Sequence, residues 1–167
     1  MKKSNRIIIL CEDITNKSFL SFDKKLRKLE KTKEPITLRI NSSGGSFYDS
    51  LAIVERIRLS PCKINTEVFG RAFSGAFLIF IHGDYRTMTR NSWLMFHSIS
   101  VETLSGKAHE ISSDYKQIEL EVNQLCSLVS DRSSRDYDFW LSLAKKSDFY
   151  MSSEKALDLG LVDKILK

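Results

Sequence analysis

The first group in this chain able to do covalent chemistry is a serine set among small residues where an apolar helix begins. In Gly70-Arg71-Ala72-Phe73-Ser74-Gly75-Ala76 it follows a strand-like run and precedes Phe77-Leu78-Ile79-Phe80. Such a strand-to-helix turn holds a hydroxyl proud of a sheet, where it can act as a nucleophile. Ser74 equally suits the ordinary role of helix N-cap. A second small-residue turn, Asn41-Ser42-Ser43-Gly44-Gly45, stands between a strand and a helix. Paired glycines there let backbone N–H groups point at an anion or an oxyanion, beside the positive end of a helix dipole. The plainer alternative is a tight turn. The Gly-Lys-Ser/Thr ending of a phosphate-binding loop is missing, so nucleotide binding is not supported. His97 closes the apolar run Trp93-Leu94-Met95-Phe96, where it is either a general base facing Ser74 or a half-buried structural residue. Asp148 precedes the Ser152 helix cap and is either the carboxylate that orients an imidazole or a surface turn residue. His82 lies in a turn and His109 at a helix start, and no pair of histidines has metal-ligand spacing, so no metal site is expected.

These groups need a frame that brings them together. Arg6–Cys11 reads as a buried strand, Asn16–Glu30 as a helix with Phe19, Phe22, Leu26 and Leu29 on one face, and Ile36–Ile40 as the next strand after Pro35. A helix carrying Phe47, Leu51, Val54 and Ile57 follows, then a strand over Lys63–Phe69. Strand, turn and helix thus alternate as βαβ units, which implies a parallel sheet covered by helices with its site at the carboxyl edge. Strands over Tyr85–Thr89 and Trp93–Phe96 come next, then an extended stretch over Ser98–Lys107. From Ala108 to about Arg135, Ile111, Tyr115, Ile118, Val122, Leu125 and Val129 alternate steps of four and three, the seam of a long amphipathic helix. That seam packs either on its own domain or on another subunit. Short helices at Tyr137–Leu143 and Ser153–Leu159 and a terminal strand at Leu161–Leu166 complete the chain.

The 167 residues, 42% hydrophobic and 28% charged, fit one α/β domain with a real core. The net charge of +5 comes from 26 basic residues interleaved with 21 acidic ones, a solvated surface and not a nucleic-acid footprint. Cys11, Cys62 and Cys126 are odd in number, widely spaced and set among apolar neighbours, and are expected to be reduced core thiols. Met1-Lys2-Lys3 opens like a signal peptide, but the apolar run Ile7–Leu10 ends at Cys11-Glu12-Asp13. No run approaches the roughly 20 apolar residues of a membrane span. A cytoplasmic protein is expected.

Five motifs in order resemble the Clp protease proteolytic subunits, the ClpP family of serine peptidases, over about Arg6–Lys167. Asn41–Gly45 resembles the family's Asn-Ser-Pro-Gly-Gly loop, and Gly70–Ala76 its Gly-x-Ala-Ala-Ser-Met-Gly nucleophile turn. Asn91–His97 resembles its Asn-Ser-Arg-x-Met-Ile-His segment, Gly106–Ile111 its Gly-x-Ala-x-Asp-Ile helix start, and Asp148–Asp163 its Asp-x-Phe-Met-Ser-Ala-x-Glu-Ala closing stretch. The resemblance implies a crotonase-like α/β spiral of βαβ units: one peptidase domain over 1–167, with a head at about 6–97 and 148–167 and a protruding handle helix within about 98–147.

The same resemblance makes Ser74 the nucleophile, His97 the general base and then acid, and Asp148 the carboxylate that fixes the imidazole tautomer. It puts the oxyanion hole at the Gly45 and Gly75 N–H groups, with Gly75 standing where the family has Met. It implies a peptide substrate added as a strand along Gly44, Ser46 and Phe47 on one side and Ser98 and Ile99 on the other. No cofactor is implied. The implied partners are further copies of the chain in a heptameric ring, and a AAA+ unfoldase. The family's N-terminal docking section has no counterpart before Arg6, Lys146 and Ser147 replace an acidic residue and an arginine used between stacked rings, and Ser98-Ile99-Ser100 replaces the Gln-Pro after the histidine. One ring is therefore expected before two, and unfoldase docking is not assured. Two rivals remain: a catalytically silent ring subunit, and a crotonase-like acyl-CoA enzyme sharing the oxyanion geometry.

Overall fold

Alternating blocks of β-branched and amphipathic sequence set the order of elements in the computed structural model, which describes residues 6–101 and 104–167. β1 (Ile7–Leu10), α1 (Asn16–Leu29), β2 (Ile36–Ser42), α2 (Phe47–Arg58), β3 (Ile64–Phe73) and α3 (Gly75–Ile81) form the βαβ series. β4 (Arg86–Thr89) and β5 (Trp93–Phe96) lead through loop to α4 (Ala108–Ser130) and α5 (Tyr137–Ala144). β6 (Phe149–Ser152), α6 (Ser153–Asp158) and β7 (Lys164–Leu166) close the chain. Helix starts obey local capping chemistry. The Thr15 hydroxyl accepts from the Ser18 N–H while the Ser18 hydroxyl accepts from the Thr15 N–H, a reciprocal box that fixes the start of α1. Ser46, Asp136 and Ser152 cap α2, α5 and α6.

The sheet runs β1-β2-β3-β4-β7, all parallel. At β3 it forks. Thr66–Val68 pair with β4, whereas Arg71–Phe73 pair with β5, which in turn pairs antiparallel with β6. The fork sits at Gly70, whose φ of 91° belongs to the left-handed region that glycine enters without a Cβ penalty. Beside β2 the register jumps from Ile40↔Val68 to Ser42↔Ala72, so two extra residues of β3 are accommodated there. The Asn41 amide oxygen fills the gap, accepting from the Arg71 N–H, and the Ser92 hydroxyl accepts from the Gly70 N–H. The strand expected to end at Phe69 therefore runs on to Phe73 and delivers Ser74 directly.

α3 is hydrophobic on every side and buried along its whole length, so it is the central rod beneath the sheet. Trp140 of α5 is fully buried against it, with ring centroids 6.4 Å from Phe77 and 5.1 Å from Phe96, and its indole N–H donates to the Ser133 hydroxyl at 2.8 Å. Trp140→Ala should cost about 3–5 kcal/mol, because α3 cannot collapse into the space left behind. Urea denaturation of the two proteins measures it; a loss under about 1 kcal/mol would mean that α5 is not part of this core. The last carbonyls of α3 and the turn after it, Ile81 and Gly83, accept from the Arg132 guanidinium at 2.8 and 2.6 Å.

Several expectations are corrected. α4 ends at Ser130, because Asp131–Ser134 turn back so that the Ser134 N–H can donate to the Leu159 carbonyl. Of the α4 seam only Leu125 and Val129 are buried, with Glu121 and Cys126 beside it; Tyr115 of the seam is 57% exposed and Leu120, off it, 63%. Cys62 and Cys126 are buried, and burial pushes the Cys126 thiol up to about 11, but Cys11 is exposed. Asp148 is exposed between the bend at Lys145–Ser147 and the first residue of β6. No regular element is found at Ser98–Val101 or Leu104–Lys107; Glu102 and Thr103, and the leader-like Met1-Lys2-Lys3, lie outside the described residues. Among the described residues no helix is long and apolar enough to cross a membrane.

Candidate active site

Ser74 has φ 52° and ψ −124°, the only positive φ among the described non-glycine residues. A side chain in that region costs on the order of 1–3 kcal/mol and persists only where the surroundings enforce it. They do so from both sides. β3 pairs Phe73 with Met95 of β5, and the Ser74 N–H donates to the Met95 carbonyl at 2.9 Å. The Ser74 hydroxyl makes no capping bond to α3, and the backbone is not extended as an N-cap's is, so the capping alternative is set aside.

The two glycine turns meet at this serine. A Cβ on Gly44 would stand 2.5 Å from the Phe73 carbonyl oxygen and 2.8 Å from the Ser74 Cβ, so only glycine permits the approach. Next to it, Gly45 forms a bridge to Ile14: the Ile14 N–H donates to the Gly44 carbonyl at 2.7 Å and the Ser46 N–H donates to the Ile14 carbonyl at 2.9 Å. In such a bridge the flanking residues use the groups on one side, which turns the N–H of Gly45 itself away from Ile14. Gly75 is buried beside it, with its own Cβ direction filled by the Ser50 hydroxyl. Neither the Gly45 nor the Gly75 N–H donates to a protein group among the hydrogen bonds of the described residues.

Gly45, Ser46, Phe47, Ser74, Gly75, His97, Ser98 and Ile99 line one cavity of about 180 Å³. Gly44 lies behind it, backing Ser74 instead of facing the cavity. Phe77, Leu78, Phe96 and Leu125 give the cavity an apolar floor. The sequence places Phe77 and Leu78 in an apolar helix, Phe96 in an apolar strand and Leu125 in the helix seam, and no pattern in it marks any of the four as lining a site.

Asp148 is placed differently. The β5–β6 ladder ends with Phe96 opposite Phe149, so His97 and Asp148 are the next residues outward on adjoining strands. Asp148 is exposed, and its carboxylate accepts from the Tyr150 hydroxyl at 3.4 Å. Among the described residues no hydrogen bond joins Ser74 to His97 or His97 to Asp148. The other two histidines stay outside the site. His82 is held by a 2.8 Å contact of its Nδ1 with the Leu78 carbonyl, and burial holds its pKa below the ordinary value. His109 is exposed on the first turn of α4. No group of three or more possible metal ligands occurs among the described residues.

The chain's similarities to known proteins agree with this geometry. The family model described as Clp protease matches residues 2–167. The chain is 32% identical over 166 residues to ATP-dependent Clp protease proteolytic subunit 1 of Prochlorococcus marinus, covering 96% of this chain and 84% of that one. It is 30% identical over 169 residues to the ATP-dependent Clp protease proteolytic subunit of Bdellovibrio bacteriovorus, covering 98% and 79%. Among solved structures, a mutant of ClpP1 from Listeria monocytogenes matches with a TM-score of 0.87 over 98% of this chain and 92% of that one, at 23% identity, a likeness of fold. With one family model spanning nearly every residue, two relatives at 30% identity or more and the same α/β fold, the chain belongs to the Clp protease family.

Proposed function

We propose that this chain is a serine endopeptidase that cuts unfolded polypeptides inside a ring built from its own copies. The observation that carries the reading is the strained Ser74, whose hydroxyl is free of capping and shares a cavity with His97 and two unspent backbone N–H groups. A peptide would lie as an added strand between Ser46–Phe47 and Ser98–Ile99. Ser74 Oγ attacks the scissile carbonyl carbon as His97 removes its proton, and the oxyanion accepts hydrogen bonds from the Gly45 and Gly75 N–H groups, each worth about 3 kcal/mol in the transition state. Collapse breaks the C–N bond and His97 protonates the departing amine. Water, deprotonated by His97, then cleaves the acyl-enzyme and restores the serine. Asp148 orients the imidazole once its carboxylate turns from Tyr150 to His97, a contact that substrate or neighbouring subunits tighten.

The exposed part of α4 supports the ring reading. Tyr115 of the seam and Leu120 beside it are exposed, and the partner of that seam is another copy of the handle. In this reading residues 1–167 are one peptidase unit, head and handle together, in a cytoplasmic heptamer of one or two rings. The relatives' names describe ATP-dependent proteases; an ATP-driven unfoldase is the corresponding feeder here.

Intact-mass labelling with a fluorophosphonate, on wild type and Ser74→Ala, together with native mass determination, tests the proposal. Expected are one adduct per chain in wild type, none in Ser74→Ala, and an assembly of seven or fourteen subunits in both. An assembled ring that takes no label would refute the peptidase reading and favour a silent ring subunit.

A further inference from the structure

The first turn of α2 carries two aromatic residues with separate fates. Phe47 lines the cavity beside Ser74, while Tyr48, edge-on to Phe47 with ring centroids 5.8 Å apart, turns outward with 61% of its surface exposed. Its hydroxyl nevertheless has a strong partner. It donates to the Glu121 carboxylate of α4, 73 residues along the chain. Glu121 is buried to 9% exposure, an unusual setting for a carboxylate, and its other donor is the Gln117 side-chain amide at 3.1 Å. A buried carboxylate with so few donors binds each of them firmly, because losing one leaves charge without solvation. The bond to Glu121 also holds the Tyr48 phenol above its ordinary pKa. One turn further along α4, Leu125 reaches the cavity. The same helix face thus grips the turn that precedes the substrate and walls the pocket.

We propose that Tyr48 and Glu121 form a brace that sets, from the handle helix, the position of the first turn of α2 and with it Phe47, on the edge where substrate pairs. They are positioning residues, not catalytic ones, and the inference rests on the peptidase reading given above. The fold separates two effects. Gly45 is pinned independently by the bridge to Ile14, so the oxyanion donor stays in place when the brace is cut. That bridge ends at the Ser46 N–H; Phe47, one residue beyond it, packs its ring against the core and moves with α2. Cutting the brace therefore weakens substrate binding more than it slows the chemical step. Because α4 is also the element that reaches toward other copies, whatever seats that helix seats the substrate edge with it.

The test compares Tyr48→Phe, Glu121→Leu and Glu121→Gln as full-length assembled protein, using a fluorogenic peptide and amide hydrogen exchange across 45–50. Tyr48→Phe and Glu121→Leu should each raise KM about 5- to 10-fold with kcat within about 2-fold, and speed exchange in the first turn of α2 while β2 is unchanged. The double variant Tyr48→Phe/Glu121→Leu should be little worse than either single one, since each single change already removes the Tyr48–Glu121 bond. Glu121→Gln keeps an oxygen acceptor for the hydroxyl and should restore KM to within about 2-fold of wild type. Unchanged KM and unchanged exchange in Tyr48→Phe would overturn the brace, as would additive losses in the double variant or a Glu121→Gln protein as impaired as Glu121→Leu. Exchange decides the brace even if wild type fails to cleave peptide, an outcome that would fall on the peptidase reading alone.

Discussion

His97→Ala should lower kcat for peptide cleavage by about 10⁶-fold, nearly as much as Ser74→Ala, and the double variant should be scarcely worse than either. A serine hydroxyl is a poor nucleophile until a base within reach removes its proton, and among the described residues His97 is the only imidazole lining the cavity that holds Ser74. Because attack and proton transfer are one event, removing either partner disables both, and the losses do not add. What survives, on the order of 10³–10⁴ over water, is expected from the proposed Gly45 and Gly75 donors and from substrate binding. Single-turnover cleavage of a fluorogenic peptide by each assembled protein measures this. A His97→Ala protein retaining more than about one-hundredth of wild-type activity would show that another group activates Ser74.

Gly45→Ala attacks the other half of the chemistry and should be nearly as severe. The added methyl would sit 2.3 Å from the Ile14 carbonyl oxygen and 2.9 Å from its nitrogen, both backbone atoms that cannot swing aside, and the residue would keep a φ of 144° that alanine avoids. The Ile14 bridge must open, and the Gly45 N–H, the proposed oxyanion donor, moves with it. Loss of one such donor costs about 10²–10³ in kcat, and the backbone strain adds about 1–3 kcal/mol of lost stability. Gly83→Ala is the control. Its methyl would collide with the Thr66 side chain, 2.3 Å from the hydroxyl oxygen, at a distance from the cavity. It should destabilise while leaving kcat of the folded fraction intact. Urea titrations paired with kcat distinguish the two, and equal kcat losses in both variants would remove Gly45 from the oxyanion role.

Much of the frame could be read from local pattern because local physics decides it. α1 and α2 begin at their capping hydroxyls and end where their apolar stripes run out, and β1 and β2 fall where β-branched residues cluster. The sequence pattern failed where long-range pairing decides. Phe69-Gly70-Arg71 looks like the end of a strand, yet β3 continues because Asn41 and Ser92, distant in sequence, satisfy the backbone around Gly70. Phe149–Ser152 looks like a loop into a helix until β5 lies beside it. In the candidate site, the two glycine turns, Ser74 and His97 were readable by residue type, and they converge on one cavity. The Asp148 arrangement was not: whether a carboxylate faces an imidazole or a neighbouring phenol depends on one side-chain rotation, which no spacing encodes. Nor was the Tyr48–Glu121 bond, since Glu121 falls off the apolar seam and reads as an ordinary solvent-facing residue of a helix.

The fork at Gly70 also governs how force travels through the molecule. β4 and β7 form one leaf, closed by the Arg86–Asp163 ion pair, and β5 and β6 form the other, with β3 as their common stem. Lys167 trails from the first leaf and Ser74 hangs from the second. Tension applied at that end, by a tether, a solid support or a fused cargo, is spent on the β4–β7 ladder and its clamp before it reaches the stem. The carboxyl end is accordingly the mechanically quiet place from which to hold this molecule, and the β5–β6 leaf the one to leave untouched.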